Sequence, residues 1–197
     1  MKIIAGVLGG VALLVLAVGL WAVGAYNGLV GRNENVGKAW AQVESQYQRR
    51  FDLIPNLVET VKGSAKFEKE TLTAVVDARS RVGSMTVDKG VLNDPAAFKK
   101  FEEAQAGLSS ALSRLMVVVE KYPDIKSTQG YRDLQVQLEG TENRIAVARK
   151  DFNEAAQDYN TAIKVFPASM VAGFGGFKER PYFQAVAAAA AAPAVKF

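Results

Sequence analysis

Three carboxylates at helical spacing, Asp151, Glu154 and Asp158, are the residues with the best claim to chemistry. Positions three and four apart lie on one face of an α-helix, so the three would project together. Helical bundles that hold two metal ions use such carboxylates with Glu-x-x-His motifs from facing helices. This chain has no His and no Cys, which excludes Ser-His-Asp and Cys-His nucleophilic catalysis, thiolate ligands and imidazole ligands. Arg149 and Lys150 also stand beside the acidic face. The triad is therefore read as solvated surface. No catalytic, cofactor-binding or metal-ligating residue is assigned, and the chain is read as not an enzyme, with only carboxylate catalysis left formally open.

Three further features invite a functional reading. Arg49, Arg50 and Asp52 precede Leu53-Ile54-Pro55. They suit a lipid headgroup or a partner carboxylate at a helix break, but exposed ion pairs worth under about 1 kcal/mol are the preferred account. Gly6 and Gly10, and again Gly24 and Gly28, have the spacing that lets membrane helices approach closely. Gly173–Phe183 is aromatic and Gly-rich. Such a stretch either folds back over apolar surface or docks on a second copy or the membrane.

The elements that would carry these residues are helices. No charge occurs from Ile3 to Val30, and 23 residues of it would span roughly 34 Å, enough for a hydrocarbon core of about 30 Å. The run is about twice the length of a signal-peptide core and lacks a small-x-small cleavage site, so an uncleaved anchor is expected. YNGLVGRNENVG follows as a connector or a frayed extension of the anchor. Val36, Trp40, Val43, Tyr47, Ile54, Leu57 and Val61 then form an apolar stripe, continued by Leu72, Val75 and Val82. Pro55 lies inside it and predicts a kink or break near Phe51–Pro55; the segment should end near Gly83. Asp94-Pro95 starts a second helix whose seam runs Phe98, Phe101, Gln105, Leu108, Leu112, Leu115, Val119, Tyr122. A third seam alternates four and three from Leu134 through Leu138, Thr141, Ile145, Ala148, Phe152, Ala155, Tyr159 and Ala162 to Phe166, stopped by Pro167. The fold class is thus all-α: an N-terminal transmembrane helix followed by an elongated antiparallel bundle of three to four long helices. The expected divisions are an anchor over 1–30, a bundle over 31–167, and an apolar Gly/aromatic segment with an Ala-rich tail over 168–197. Charges of both signs, net +4, offer no concentrated basic face for nucleic acid.

YNGLVGRNENVGKAWAQVESQYQRRFDLIPNLVETVKGSAKFEKETL, QLEGTENRIAVARKDFNEAAQDYNTAIKVFP and FGGFKERPYF resemble the LemA family, over nearly everything up to Phe183. The family's pattern often has a His where this chain has Phe67. The resemblance implies a bacterial membrane-anchored helical bundle with no defined catalytic residues, and one relative in magnetosome building hints at membrane organisation. The expected function is a non-enzymatic membrane scaffold that self-assembles, a homo-oligomer held through the anchor and the aromatic end. The alternative is a membrane-linked sensing or signalling module acting through a partner protein. The bilayer is the first partner, no cofactor is expected, and the place is the bacterial inner membrane, single-pass. Lys2 and the N-terminal amine on one side and Arg32 and Lys38 on the other come close to a tie; the resemblance implies a short outside N-terminus and a cytoplasmic bundle, and Arg49 and Arg50 push weakly the same way.

Overall fold

The uncharged run and the apolar stripe that follows it belong to one helix. In the computed structural model, which describes residues 2–63, 68–85 and 89–184 without the side chains of residues 2 and 5, α1 extends unbroken from Lys2 to Lys62. At 1.5 Å per residue this 61-residue rod is about 90 Å long. Phe67 and the Ala-rich tail lie outside the described residues. The expected connector is helical throughout. Leu29 and Val36 are 1% exposed, so tertiary burial outweighs the poor helix propensity of Gly and Asn between them.

Five further helices follow: α2 (Lys69–Gly83), α3 (Pro95–Val119), the single-turn α4 (Pro123–Lys126), α5 (Gln129–Lys164) and α6 (Ala168–Gly175), with a 3₁₀ turn over Lys89–Asn93. No strand occurs among the described residues. Asp94 caps α3 as its type requires, accepting from Ala96 N at 2.9 Å and Ala97 N at 3.2 Å, with Pro95 in the first turn. Thr128 caps α5 through Tyr131 N.

The bundle half of α1, α2, α3 and α5 run alternately up and down. Arg32 pairs with Asp158, Trp40 packs on Phe152 and Arg50 pairs with Glu142, which sets α1 antiparallel to α5. Trp40 also packs on Phe98 and Phe101, so α3 runs with α1. The α5 seam follows expectation through Phe152, then moves. Ala156, Asn160 and Ile163 are buried, whereas Ala155 and Ala162 are only partly so and Phe166 is 76% exposed. A 3.5-residue repeat drifts about 20° per heptad around a straight helix. Phe166 in addition lies beyond the end of α5, since Val165 already has extended backbone.

Pro55 neither breaks α1 nor ends it; the chain leaves the helix at Gly63. Proline removes the N–H that Phe51 O would accept. Arg79 of α2 supplies the missing donor: its Nε points to Phe51 O at 3.4 Å, and its guanidinium lies 3.9 Å from the centre of the Phe51 ring. A neighbouring helix thus re-satisfies the carbonyl that the proline frees. Arg79→Ala should cost about 1–2 kcal/mol, from one hydrogen bond and one cation–π contact. In a Pro55→Ala background, where the helix supplies its own donor, the cost should fall by about 1 kcal/mol. Urea unfolding of the four proteins, followed by helical circular dichroism, gives the coupling; equal costs in both backgrounds would show that Arg79 does not answer the proline.

Candidate functional site

The charged residues marked in the sequence part company. Asp151, Glu154 and Asp158 are all exposed. Glu154 pairs with Lys150 at 3.5 Å and Asp158 with Arg32 at 3.1 Å, so the three share a face without converging. Among the described residues no cluster of three potential metal ligands occurs. Arg49 and Asp52 are exposed, Asp52 accepting from Gln48 Nε2 at 2.7 Å.

Arg50 is different, and the expectation of a solvated ion pair does not hold for it. It is 1% exposed. It occupies the stripe position between Tyr47 and Ile54, spaced three and four, and so points into the bundle. Its Nη1 donates to Ser109 Oγ at 2.5 Å and to Glu142 Oε1 at 2.8 Å. Its Nη2 donates to Gln105 Oε1 and, at 3.4 Å, to Gln105 O. The guanidinium lies 5.0 Å from the Tyr47 ring centre. Gln105, the polar member of the α3 seam, is therefore a designated partner. Thr141, the polar member of the α5 seam, is fully buried and turns back on its own helix, donating to Gln137 O at 2.7 Å.

This polar layer divides two apolar cores. On the side towards the anchor lie Leu29 to Tyr47, Phe98, Phe101 and Ile145 to Ile163. On the far side lie Ile54 to Val61, Leu108 to Val119, Tyr131 and Leu138. An open groove of about 610 Å³ beside the layer is lined by Tyr47, Phe51, Phe101 and Gln105, with Glu44 as its carboxylate.

The core nearer the anchor is aromatic. Trp40 contacts Phe98, Phe101, Phe152 and Phe183, at ring-centre distances of 5.4–6.1 Å. Phe183 arrives on an extended strap that the bundle binds through side chains. Asn160 receives Arg180 N and donates to Arg180 O, both at 2.8 Å. Asn153, two turns earlier, does the same for Phe183, at 2.9 and 3.0 Å. Glu102 accepts from Gln184 N at 2.9 Å and pairs with Arg149, which donates to Gln184 O. The Arg180 side chain ties Asn33 of α1 to Asn93 and Leu92 of the 3₁₀ turn. Of the four aromatics expected to meet a partner, Phe183 is buried, Phe177 is half-buried, and Tyr182 and Phe174 are exposed, Phe174 by 92%. Phe177 and Phe183 therefore fold back on the bundle, whereas Phe174 does not.

These features describe an all-α bundle carried on one helix that is long and apolar enough to cross a bilayer. The chain belongs to the LemA family, whose sequence profile matches residues 39–197. That match begins inside α1, beyond the apolar run, and continues past Phe183 through the Ala-rich tail. The chain is similar to magnetosome protein MamQ 2 of Paramagnetospirillum magneticum, with 33% identity over 175 residues, covering 81% of this chain and 64% of that protein. It is similar to MamQ of Magnetospirillum gryphiswaldense at 32% over 176 residues, 80% of this chain and 64% of that protein. Protein LemA of Metamycoplasma hominis matches at 25% over 150 residues, 76% and 64%. The chain thus spans just under two thirds of the length of the curated relatives it matches.

Two outcomes follow from the buried polar groups. Arg50→Ala should destabilise the bundle by about 2–4 kcal/mol through a cavity and an orphaned Gln105. Arg50→Met with Gln105→Leu should recover to within about 1 kcal/mol of the parent, because well-packed apolar groups replace buried charge at little cost. Urea midpoints of the single and double variants measure this, and no recovery in the double variant would mean that the layer is needed for stability itself.

The second outcome concerns alkaline pH. Burial raises the pKa of Tyr47, against the opposing fields of Arg149 and Arg50. Burial likewise raises Tyr131, reinforced by Glu120 and Glu139, and raises Tyr159 against Arg180. A raised folded-state pKa means that the folded chain holds protons more tightly than the unfolded one. The stabilisation is full below the unfolded value of about 10 and is lost as pH rises through the folded values. The melting temperature should therefore hold from neutral pH to about 9 and fall above about 10, with a shallower fall in Tyr47→Phe. Thermal melts across this range check it; an unchanged slope in Tyr47→Phe would remove Tyr47 from the account.

Proposed function

We propose that the chain is a non-enzymatic, membrane-anchored scaffold that holds copies of itself, and through them other proteins, at a fixed height above the bilayer. The observation that carries this reading is the continuity of α1. The helix that suits the hydrocarbon core is the same helix that forms one wall of the bundle. A flexible linker would leave the bundle free to wander; an unbroken helix fixes both its height and its rotation relative to the membrane. The side chains around Arg50 are engaged in holding three helices together, which is in keeping with a structural part. Relatives named as magnetosome proteins are in keeping with a part in an assembled structure.

Self-association is supported by the anchor. Gly6, Gly10, Gly24 and Gly28 fall on one face, since 18 residues make about five turns at 3.6 residues per turn. A Cβ placed at Gly6, Gly10 or Gly24 would meet nothing within 4 Å, so this face is free to receive another helix. Confinement to a plane raises the effective concentration of copies and makes a weak contact count. The inner membrane of a bacterium, with the bundle in the cytoplasm, is the setting favoured by the basic residues after the anchor.

Cross-linking in intact cells, together with sizing of the full chain in mild detergent, tests the proposal. Self-links should predominate, and Gly6→Leu/Gly10→Leu/Gly24→Leu should shift the particle towards a monomer. A parent chain that is itself monomeric, with links mainly to one foreign protein, would replace the scaffold by a partner-coupled signalling module. Protease protection in sealed inverted vesicles reports orientation, and a shielded bundle would reverse the side.

A further inference from the structure

The end of the bundle nearest the anchor carries an apolar surface that folding leaves bare. From Val165 to Phe177 the sequence VFPASMVAGFGGF holds no charge, and lysines, Lys164 and Lys178, bound it on both sides. Within it Val165 is 54% exposed, Phe166 76%, Met170 57% and Phe174 92%. Met170 and Phe174 are one turn apart on the same side of α6. Elsewhere on the bundle the strongly exposed large apolar side chains are scattered valines, such as Val117 and Val136. Scattered residues need no explanation, whereas a concentrated patch does.

The position of the patch identifies what covers it. The pairs Arg32–Asp158 and Trp40–Phe152 set the register of α1 against α5, and extending that register brings the end of α5 level with Tyr26. Independent contacts agree. Phe177 packs edge-on against Tyr26, ring centres 5.4 Å apart, and also meets Tyr159. A Cβ on Gly175 would come within 3.2 Å of Tyr26 Cε2 and 2.7 Å of Phe177, so α6 approaches α1 as closely as glycine permits. Tyr26 follows the apolar stretch Ile3–Ala25 of α1, at the depth where amphipathic rings sit between acyl chains and water. By the same register the first charges on α5 and the strap, Lys164 and Glu179, paired at 2.8 Å, lie at the level of Tyr26, and the first charge on α1, Arg32, lies about 9 Å further from the anchor. A plane through this boundary leaves the patch on the same side as the anchor.

We propose that the turn formed by Val165, Phe166, Met170 and Phe174 is seated in the headgroup and upper acyl region of the leaflet from which α1 emerges. The bundle then stands on the bilayer at two points, the spanning helix and a shallow apolar foot. Lys164 and Lys178 lie where basic side chains reach out to phosphates while their stems stay in apolar surroundings. A second copy is the poorer occupant. A stable protein interface needs about 800 Å² and some 20–30 residues from each partner, far more than one short turn offers, and lipid already lies at the same height. The proposal rests on the reading of α1 as a membrane anchor, and its test separates the two.

The absence of cysteine from the chain makes single-site spin labelling direct. Leu14→Cys, Val136→Cys, Met170→Cys and Phe174→Cys would each be labelled in the full chain, reconstituted in phosphatidylcholine–phosphatidylglycerol vesicles. Power saturation then compares access of oxygen with that of a water-soluble nickel chelate. Labels at 170 and 174 should favour oxygen and lie about 5–10 Å into the interface, shallower than the label at 14; the label at 136 should favour nickel. Phe174→Asp should return a label at 170 to the aqueous pattern, with helical circular dichroism unchanged because Phe174 contributes no packing. If 14 is in lipid but 170 and 174 behave like 136, the foot is wrong and the anchor stands. If 14 itself is aqueous, the anchor reading fails first. Shielding of 170 and 174 from both reagents overturns the proposal as well, with spin–spin broadening pointing to a second copy and its absence to cover by the chain's own tail.

Discussion

A guanidinium in the middle of the bundle is the constraint on which the rest of the arrangement depends. A buried charge is tolerated only where hydrogen-bond partners meet it, and losing one partner leaves a large desolvation cost uncompensated. The partners of Arg50 come from α3 and α5: Gln105 and Ser109 on one, Glu142 on the other. Sliding either helix by one turn against α1 would carry those groups about 5.4 Å away. Apolar seams alone do not forbid such a slip, since Leu, Val and Phe exchange neighbours with modest loss. The layer therefore selects one register among several that the cores on either side would accept, the role for which polar groups in helical cores are best attested. Every later feature inherits that register, including the height at which α5 ends.

The strap obeys the same logic at the edge of the bundle. An extended segment lying on helices cannot pair with them as a strand would, because helical N–H and C=O groups are already used. Asn153 and Asn160 solve this by presenting a carboxamide, one acceptor and one donor, to the backbone of Phe183 and of Arg180. Residues seven apart on a helix recur on one face about 10.5 Å along its axis, a distance matched by the three extended residues from Arg180 to Phe183 at about 3.4 Å each. The clamps deliver Phe183 to Trp40, and Arg149 covers the outer face of its ring at 4.4 Å. The aromatic end of the chain is thus largely spent on completing the core.

Much of this arrangement is legible in the order of residues alone. Asp94-Pro95 caps α3 because its signal is local: side chain, backbone and fixed proline torsion lie within four residues. The seams of α1 and α3 are legible because burial follows periodicity. Arg50 is legible in position but not in type; it completes the stripe between Tyr47 and Ile54, yet arginine is so commonly a surface residue that its neighbours Arg49 and Asp52 suggest an exposed cluster. Gln105, the one polar residue of its seam, is the second half of that signal. Pro55 misleads because the donor that rescues Phe51 O comes from Arg79, beyond a helix end that proline does not cause. Asn153 and Asn160 escape any pattern, since their partners are backbone groups of an irregular segment. Phe166 shows where periodicity fails: a repeat continues on paper past the residue at which the helix stops.

Continuity between the membrane segment and the bundle is likewise a product of packing. Asn27, Gly28, Gly31, Asn33, Asn35 and Gly37 would make a poor isolated helix, and an anchor followed by such residues reads as a hinge. The hinge does not form because Leu29, Val36 and Trp40 share one buried cluster with Phe152 and Tyr159, with Phe177 packed against it, and helical geometry presents the three on one face of α1. Arg180 adds a tether by holding Asn33 from the strap. Stiffness at the membrane boundary is consequently conditional on the strap and α6 being docked. The docked strap and α6 are therefore what keep residues 27–37 helical against their composition.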